Sequence, residues 1–288
     1  VAAAPTAGRT FIGGIANASD ATTTAAEYGT AAGNARTIVT TPTLTSPTAT
    51  GIDQTLATLG ATISATGGVP ITARGTVWGT ATNPTGNMAA QGGTAAGAFS
   101  HERTGLTQGT KYFYRGYAVN SVGTNYSPHG TFHTEPGQAS AVVITNVTAT
   151  GMRISWTAGA AADGAIVVMR TNATITGPTD GILHADNAAF GSGANLGSGS
   201  FVVYRGAATQ VDVTNLGPGT NYYVEVFAYK GTVADSSVDQ GINYRQASPP
   251  TGARSTLAAE PTAQATSLLF SGVTDVQMAI SWANGNGA

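Results

Sequence analysis

Apolar and polar positions alternate with a period of two along most of this chain, and the alternating runs are bounded by stretches rich in Gly, Pro, Asn and Thr. A period of two sends successive side chains to opposite faces of a strand, whereas the three- and four-residue spacing of a helix is nearly absent. The runs Ile71 to Trp78 and Tyr112 to Val119 predict strands of one sandwich, and Asn125 to Thr134 predicts a further strand ending before Pro136. Met152-Arg-Ile-Ser-Trp156 sets Met, Ile and Trp on one face and Arg and Ser on the other, predicting an early strand of a second sandwich. The fold class expected is all-β.

One phrase occurs twice, 110 residues apart. Leu106 precedes a turn centred on Gly109, and Tyr112 opens the next strand; Leu216, Gly219 and Tyr222 repeat the spacing. A tyrosine so placed buries its ring while its hydroxyl bonds back to the turn backbone, the tyrosine corner of Greek-key sandwiches. At these residues the chain resembles the fibronectin type III family, and in detail the tandem repeats of bacterial, Bacteroidetes-like secreted or surface proteins. The resemblance implies tandem immunoglobulin-like β-sandwiches, with Trp156 as the core tryptophan of an early strand. Leu106, Tyr112, Leu216, Tyr222, Trp78, Trp156 and Trp282 are its structural signature.

A second repeat sets the boundaries. Gln138, Val147, Met152, Ile154 and Trp156 align with Gln264, Val273, Met278, Ile280 and Trp282, 126 residues on. The organisation expected is an end of a preceding repeat or a strand segment over 1–41, a type III-like domain over 42–135, and a longer one over 136–259. A truncated start of a further repeat then occupies 260–288. The extra length of the second domain, from Pro178 to about Tyr204, is expected to be a hairpin on the sandwich edge. The ends are expected to be cropped from a longer array, or else completed by strand addition between copies, a head-to-tail contact that would propagate. Thr41-Pro42, Glu135-Pro136 and Glu260-Pro261 are short linkers that proline should stiffen.

Charge alters this picture by exclusion. Only 9% of the 288 residues are charged, the net charge is −2, and Lys111 and Lys230 are the two lysines. No basic stripe is available for phosphates, so nucleic acid is not an expected partner. The chain has no cysteine, which removes disulfides, thiolate nucleophiles and Cys-ligated zinc. No apolar run is long enough to span a bilayer as a helix, so membrane insertion is not expected. Val1-Ala-Ala-Ala-Pro5 lacks the charged start and apolar core of an intact signal peptide. The Thr-, Asn- and Gly-rich surface matches a secreted or cell-surface location.

Chemical motifs point to no catalyst. His101-Glu102 opens like a metalloprotease helix, but the second histidine position is Gly105 and the pattern is that of a strand. The glycines from Gly191 to Gly197 miss dinucleotide-loop spacing by one residue and no helix pattern comes after them. His101, His129, His133 and His184 are dispersed, and neither a nucleophile elbow nor a phosphate-binding loop occurs. Asp180, His184 and Asp186 read as a solvated turn, not a calcium loop. Tyr114, Tyr117, Tyr126 and Tyr204 are weak candidates for stacking on sugars, and sequons begin at Asn17, Asn125, Asn146 and Asn172. No catalytic, cofactor or metal residue is assigned, and no cofactor is expected. The function expected is structural: a spacer, or a subunit of a filament or sheath that self-associates or packs on neighbouring repeats. The alternative is an accessory glycan-binding or adhesin repeat.

Overall fold

The first sandwich takes shape where the period-two pattern is cleanest. A computed structural model describes residues 38–232 and 241–286, so the segment expected over 1–41 and the sequon at Asn17 lie largely or wholly outside the described residues. The first eight strands are β1 (Thr43–Thr50), β2 (Ala57–Ala65), β3 (Ile71–Gly79), β4 (Ala89–Ala90), β5 (Gly97–Arg103), β6 (Lys111–Asn120), β7 (Thr124–Tyr126) and β8 (Gly130–His133). One sheet has the order β1-β2-β5; the other runs β4-β3-β6-β7, with β8 continuing after β7 along the same edge of β6. All pairings are antiparallel. Inward residues of β6 are Tyr112, Tyr114, Gly116 and Ala118; Gly116 is required because a Cβ there would lie 2.3 Å from Ala61 Cβ of the facing sheet.

The single strand expected over Asn125 to Thr134 is instead β7 and β8, broken at Ser127-Pro128. Proline cannot donate to a ladder. Ser127 substitutes for that bonding, its hydroxyl accepting from Gly116 N at 3.0 Å while its own N–H donates to Gly116 O.

The second sandwich repeats the plan with β9 (Ser140–Thr145), β10 (Met152–Thr157), β11 (Gly164–Arg170), β12 (Phe201–Gly206), β13 (Gln210–Val213), β14 (Asn221–Gly231), β15 (Ile242–Tyr244) and β16 (Thr251–Ser255). Its sheets are β9-β10-β13 and β12-β11-β14, with β15 and then β16 along the free edge of β14. Between the sheets lie Met152, Ile154 and Trp156, facing Val167, Met169, Tyr222, Val224 and Val226. The two edge strands β7 and β15 hold the same place beside the central strands β6 and β14.

The extra length is not an edge hairpin. Residues 171–200, between β11 and β12, contain no strand longer than an isolated bridge. Their apolar residues Ile175, Ala194 and Leu196 pack on the outer face of the five-stranded sheet, over Ile166, Val168, Val202, Phe227 and Tyr229. Ile242 and Tyr244 of β15 join this second core. Alternation explains it: odd residues of β11 fill the inter-sheet core and even ones, equally apolar, need cover on the other side. A continuously apolar strand of this kind demands burial on both faces. Phe190 of the same segment crosses to the main core, edge-on to Tyr222 at 5.0 Å.

Beyond the second sandwich, β17 (Thr266–Ser271) pairs with β18 (Ala279–Ala283) alone. Leu268, Phe270, Met278, Ile280 and Trp282 are exposed there, whereas Trp156, at the matching repeat position, is buried.

Candidate functional site

Both corners close in the same way. Tyr112 Oη accepts from Thr107 N at 3.0 Å, and Tyr222 Oη accepts from Gly217 N at 2.8 Å. Leu106 and Leu216 are buried beneath them. A threonine that the sequence pattern did not single out seals each corner from the far side. Thr134 Oγ1 accepts from Thr110 N and donates to Thr107 O; Thr256 Oγ1 accepts from Thr220 N and donates to Gly217 O. The residue after each threonine donates its N–H to the loop between the first two strands of its sandwich, Glu135 to Asp53 O and Leu257 to Thr148 O. Thr134 and Thr256 thus mark where each sandwich ends.

Beyond these threonines the two sandwiches differ. Pro136 comes two residues after Thr134, and Pro261 comes five after Thr256. The short linker is built into an interface: His133, Thr134, Glu135 and Pro136 are all buried, and Gly137 N donates to Ala160 O at 2.8 Å. The longer linker, residues 258–264, is exposed throughout. The shared Glu-Pro sequence gave no sign of this difference.

The second sandwich grips the short linker with β15 and the residue after it. Asn243, 1% exposed, donates to His133 O at 2.7 Å. Arg245 donates Nη1 to Asp53 Oδ1 at 2.8 Å and to Glu135 Oε2. Gln54 adds a bond to Pro136 O at 3.0 Å. Gly109 of the first corner lies against Ala161, where an added Cβ would be 2.6 Å from the alanine Cβ. Two carboxylates therefore share one guanidinium at a largely buried seam. Burial, opposed by Arg245 and reinforced by Asp53, pushes the Glu135 carboxyl up to about 7. Asp53 is more open, and the Gln54 N–H holds its carboxyl below the usual range.

The first sandwich has its own version of this grip. Asn125, beside β6 as Arg245 is beside β14, donates Nδ2 to Pro42 O at 2.8 Å. Asn120 donates to Thr40 O at 2.7 Å. That use of Asn125 also engages the side-chain amide of one sequon.

The remaining candidates are dispersed. Tyr114 and Tyr117 are buried, Tyr114 against Phe132; alternation puts Tyr114 inside the sandwich, so neither belongs to an exposed sugar platform. Tyr126 carries the Arg115 guanidinium 4.7 Å above its ring. Tyr204 packs on Trp156 and its hydroxyl accepts from Ala208 N at 2.7 Å. Trp78 lies beside the first core under Arg103. His101 and Arg103 contact each other and Thr76 within the first sandwich. Burial and the neighbouring Arg103 pull the His101 imidazole down to about 4. Asp180, His184 and Asp186 each accept from a separate backbone N–H, of Tyr244, Thr179 and Arg205. Among the described residues no group of three His, Cys, Asp or Glu side chains gathers as a metal site, and no helix is long and apolar enough to cross a membrane.

These features define tandem antiparallel β-sandwiches, closed by tyrosine corners and joined at a buried seam. Residues 136–238 match the family model described as "Fibronectin type III domain". Among solved structures the chain is similar to the chicken CNTN1 FN1–FN3 domains, with 13% identity over 76% of this chain and 69% of that one and a TM-score of 0.38. It is also similar to a two-domain fibronectin type III segment of chicken tenascin, with 18% identity over 75% of this chain and all of that one and a TM-score of 0.33. No curated protein matches the chain.

Proposed function

We propose that this chain is a structural segment of a secreted or cell-surface repeat protein, in which the two sandwiches serve as a spacer of fixed relative orientation. The buried linker from His133 to Pro136 carries the reading. A tether that only joined domains would leave its backbone in water, as exposed residues 258–262 do. Here the linker backbone bonds to both sandwiches and its one acidic side chain is paired across the seam. Packing on neighbouring repeats or further copies, which this role entails, has an apolar surface to use in Leu268, Phe270, Ile280 and Trp282. The glycan-binding alternative draws no support from the tyrosines proposed for it, two of which are buried.

Electron microscopy of the full chain tests the proposal. Class averages should show two adjoining densities at one recurring angle. A continuous spread of angles between them would overturn the spacer reading.

A further inference from the structure

Resting on the spacer reading, we propose that the inserted segment of the second sandwich and β15 form a docking surface for the acidic corner of a preceding repeat, with Asp180 as the positioning residue for Arg245. Three observations converge on it. First, the segment holds β15 from behind: Asp180 Oδ1 accepts from Tyr244 N at 2.7 Å, Tyr244 Oη donates to Ile182 O at 3.0 Å, and Gly181 N donates to Ile242 O at 2.8 Å. β15 has only three residues paired to β14, continued by one bond from Arg245 N to Ala228 O, so the contacts to the insertion add to a short ladder. Second, Asn243 and Arg245, the two groups that cross the seam, flank the residue Asp180 holds. Third, the partner surface has matching charge. Asp53 and Glu135 supply carboxylates at the positions where the second sandwich has Thr148 and Leu257.

The surface is therefore selective. Arg245 takes a corner with an Asp in the first loop and a Glu directly after the sealing threonine. A corner such as that of Thr148 and Leu257, with no carboxylate at either place, would leave the guanidinium unpaired at a desolvated seam. Such a loss is the usual way a charged interface rejects a wrong partner. The first sandwich, without the insertion, meets its own incoming linker through the neutral Asn125 amide.

The chain lacks cysteine, so spin labels can be placed at Ser100→Cys and Asn221→Cys, one exposed site on each sandwich, and the distance distribution measured in the full chain. The doubly labelled parent is compared with added Arg245→Ala, Asp180→Ala, and both together. The expected result is one narrow peak in the parent, its loss in Arg245→Ala and in Asp180→Ala, and no further change when both are combined. An Asp180 that acts through Arg245 leaves the melting temperature unchanged when removed in the Arg245→Ala background, whereas an Asp180 that only holds the second sandwich together lowers it there as well. A narrow peak in the parent that Arg245→Ala destroys and Asp180→Ala preserves overturns the positioning role and leaves the spacer reading intact. A broad distribution in the parent overturns both. Thermal melting of each variant separates seam opening from unfolding of the second sandwich.

Discussion

Replacing Tyr222 by Phe removes one oxygen and little else. The ring keeps its packing against Phe190 and the rest of the main core, so the change isolates the hydrogen bond from Gly217 N. An unpaired buried donor costs about 1–3 kcal/mol, but Gly217 is only half-buried and water recovers part of that, placing the loss near 1 kcal/mol. For a domain of this size that is a fall in Tm of about 3–6 °C. The same substitution at Tyr112 should cost less, because its donor, Thr107 N, belongs to an exposed residue. Calorimetry of the full chain reads both variants, the transition that Trp156→Ala shifts marking the second sandwich for Tyr222→Phe and the remaining transition the first for Tyr112→Phe. An unchanged Tm in Tyr222→Phe, or a larger loss in Tyr112→Phe, would refute the reasoning about the corners.

Other outcomes rest on burial and charge. Trp156→Ala should destabilise the second sandwich by about 3–5 kcal/mol, whereas Trp282→Ala, at a residue 56% exposed, should change stability by less than about 0.5 kcal/mol in urea titrations. Gly109→Ala places an alanine at φ +56° and against Ala161, so it should cost about 1–2 kcal/mol in backbone strain and also open the seam, seen as a larger radius of gyration. The pH dependence should have two arms of opposite sign. His101 is held neutral in the fold, its pKa lowered from 6.5 to about 4, so its contribution is present above pH 6.5 and is lost as pH falls towards 4. Glu135 has its pKa raised from 4.5 to about 7, so its contribution is present below pH 4.5 and is lost as pH rises through 7. His101→Gln should flatten the acid arm and Glu135→Gln the neutral one in urea titrations from pH 4 to 8; unaltered slopes would contradict both assignments.

The corners and the strands were readable because their causes are local. A leucine, a glycine turn and a tyrosine at fixed spacing specify a corner wherever they occur, and alternation assigns Met152, Ile154 and Trp156 to a core without knowledge of the partner sheet, although it leaves Tyr114 among the sugar-stacking candidates. The insertion was not readable for the opposite reason. Ile175, Ala194 and Leu196 are isolated among Gly, Ser, Asn and Thr, with no period, and what recruits them is the second apolar face of β11 and β14. Ile166 and Val168 mark that face in the sequence, since an unbroken apolar run calls for burial on both sides. The seam was hidden by distance along the chain: Arg245 and Asn243 lie 110 residues from Glu135 and His133. One signal was nonetheless present, in the differing spacing from Thr134 and from Thr256 to the next proline. It acquires meaning only once those threonines are known to end the sandwiches.

Whether the first linker is part of the fold can be read directly from amide hydrogen exchange of the full chain. The N–H groups of Thr134, Glu135 and Gly137 donate to Thr110, Asp53 and Ala160, so they should exchange as slowly as amides of the neighbouring strands, while the amides of 258–262 exchange rapidly. Arg245→Ala should speed exchange at Glu135, whose N–H bonds Asp53 O beneath the guanidinium, and leave Thr134, whose bond lies inside the first sandwich, protected. Exchange of the Thr134, Glu135 and Gly137 amides as fast as those of 258–262 in the unaltered chain would contradict the central claim that the two sandwiches are joined by a built interface.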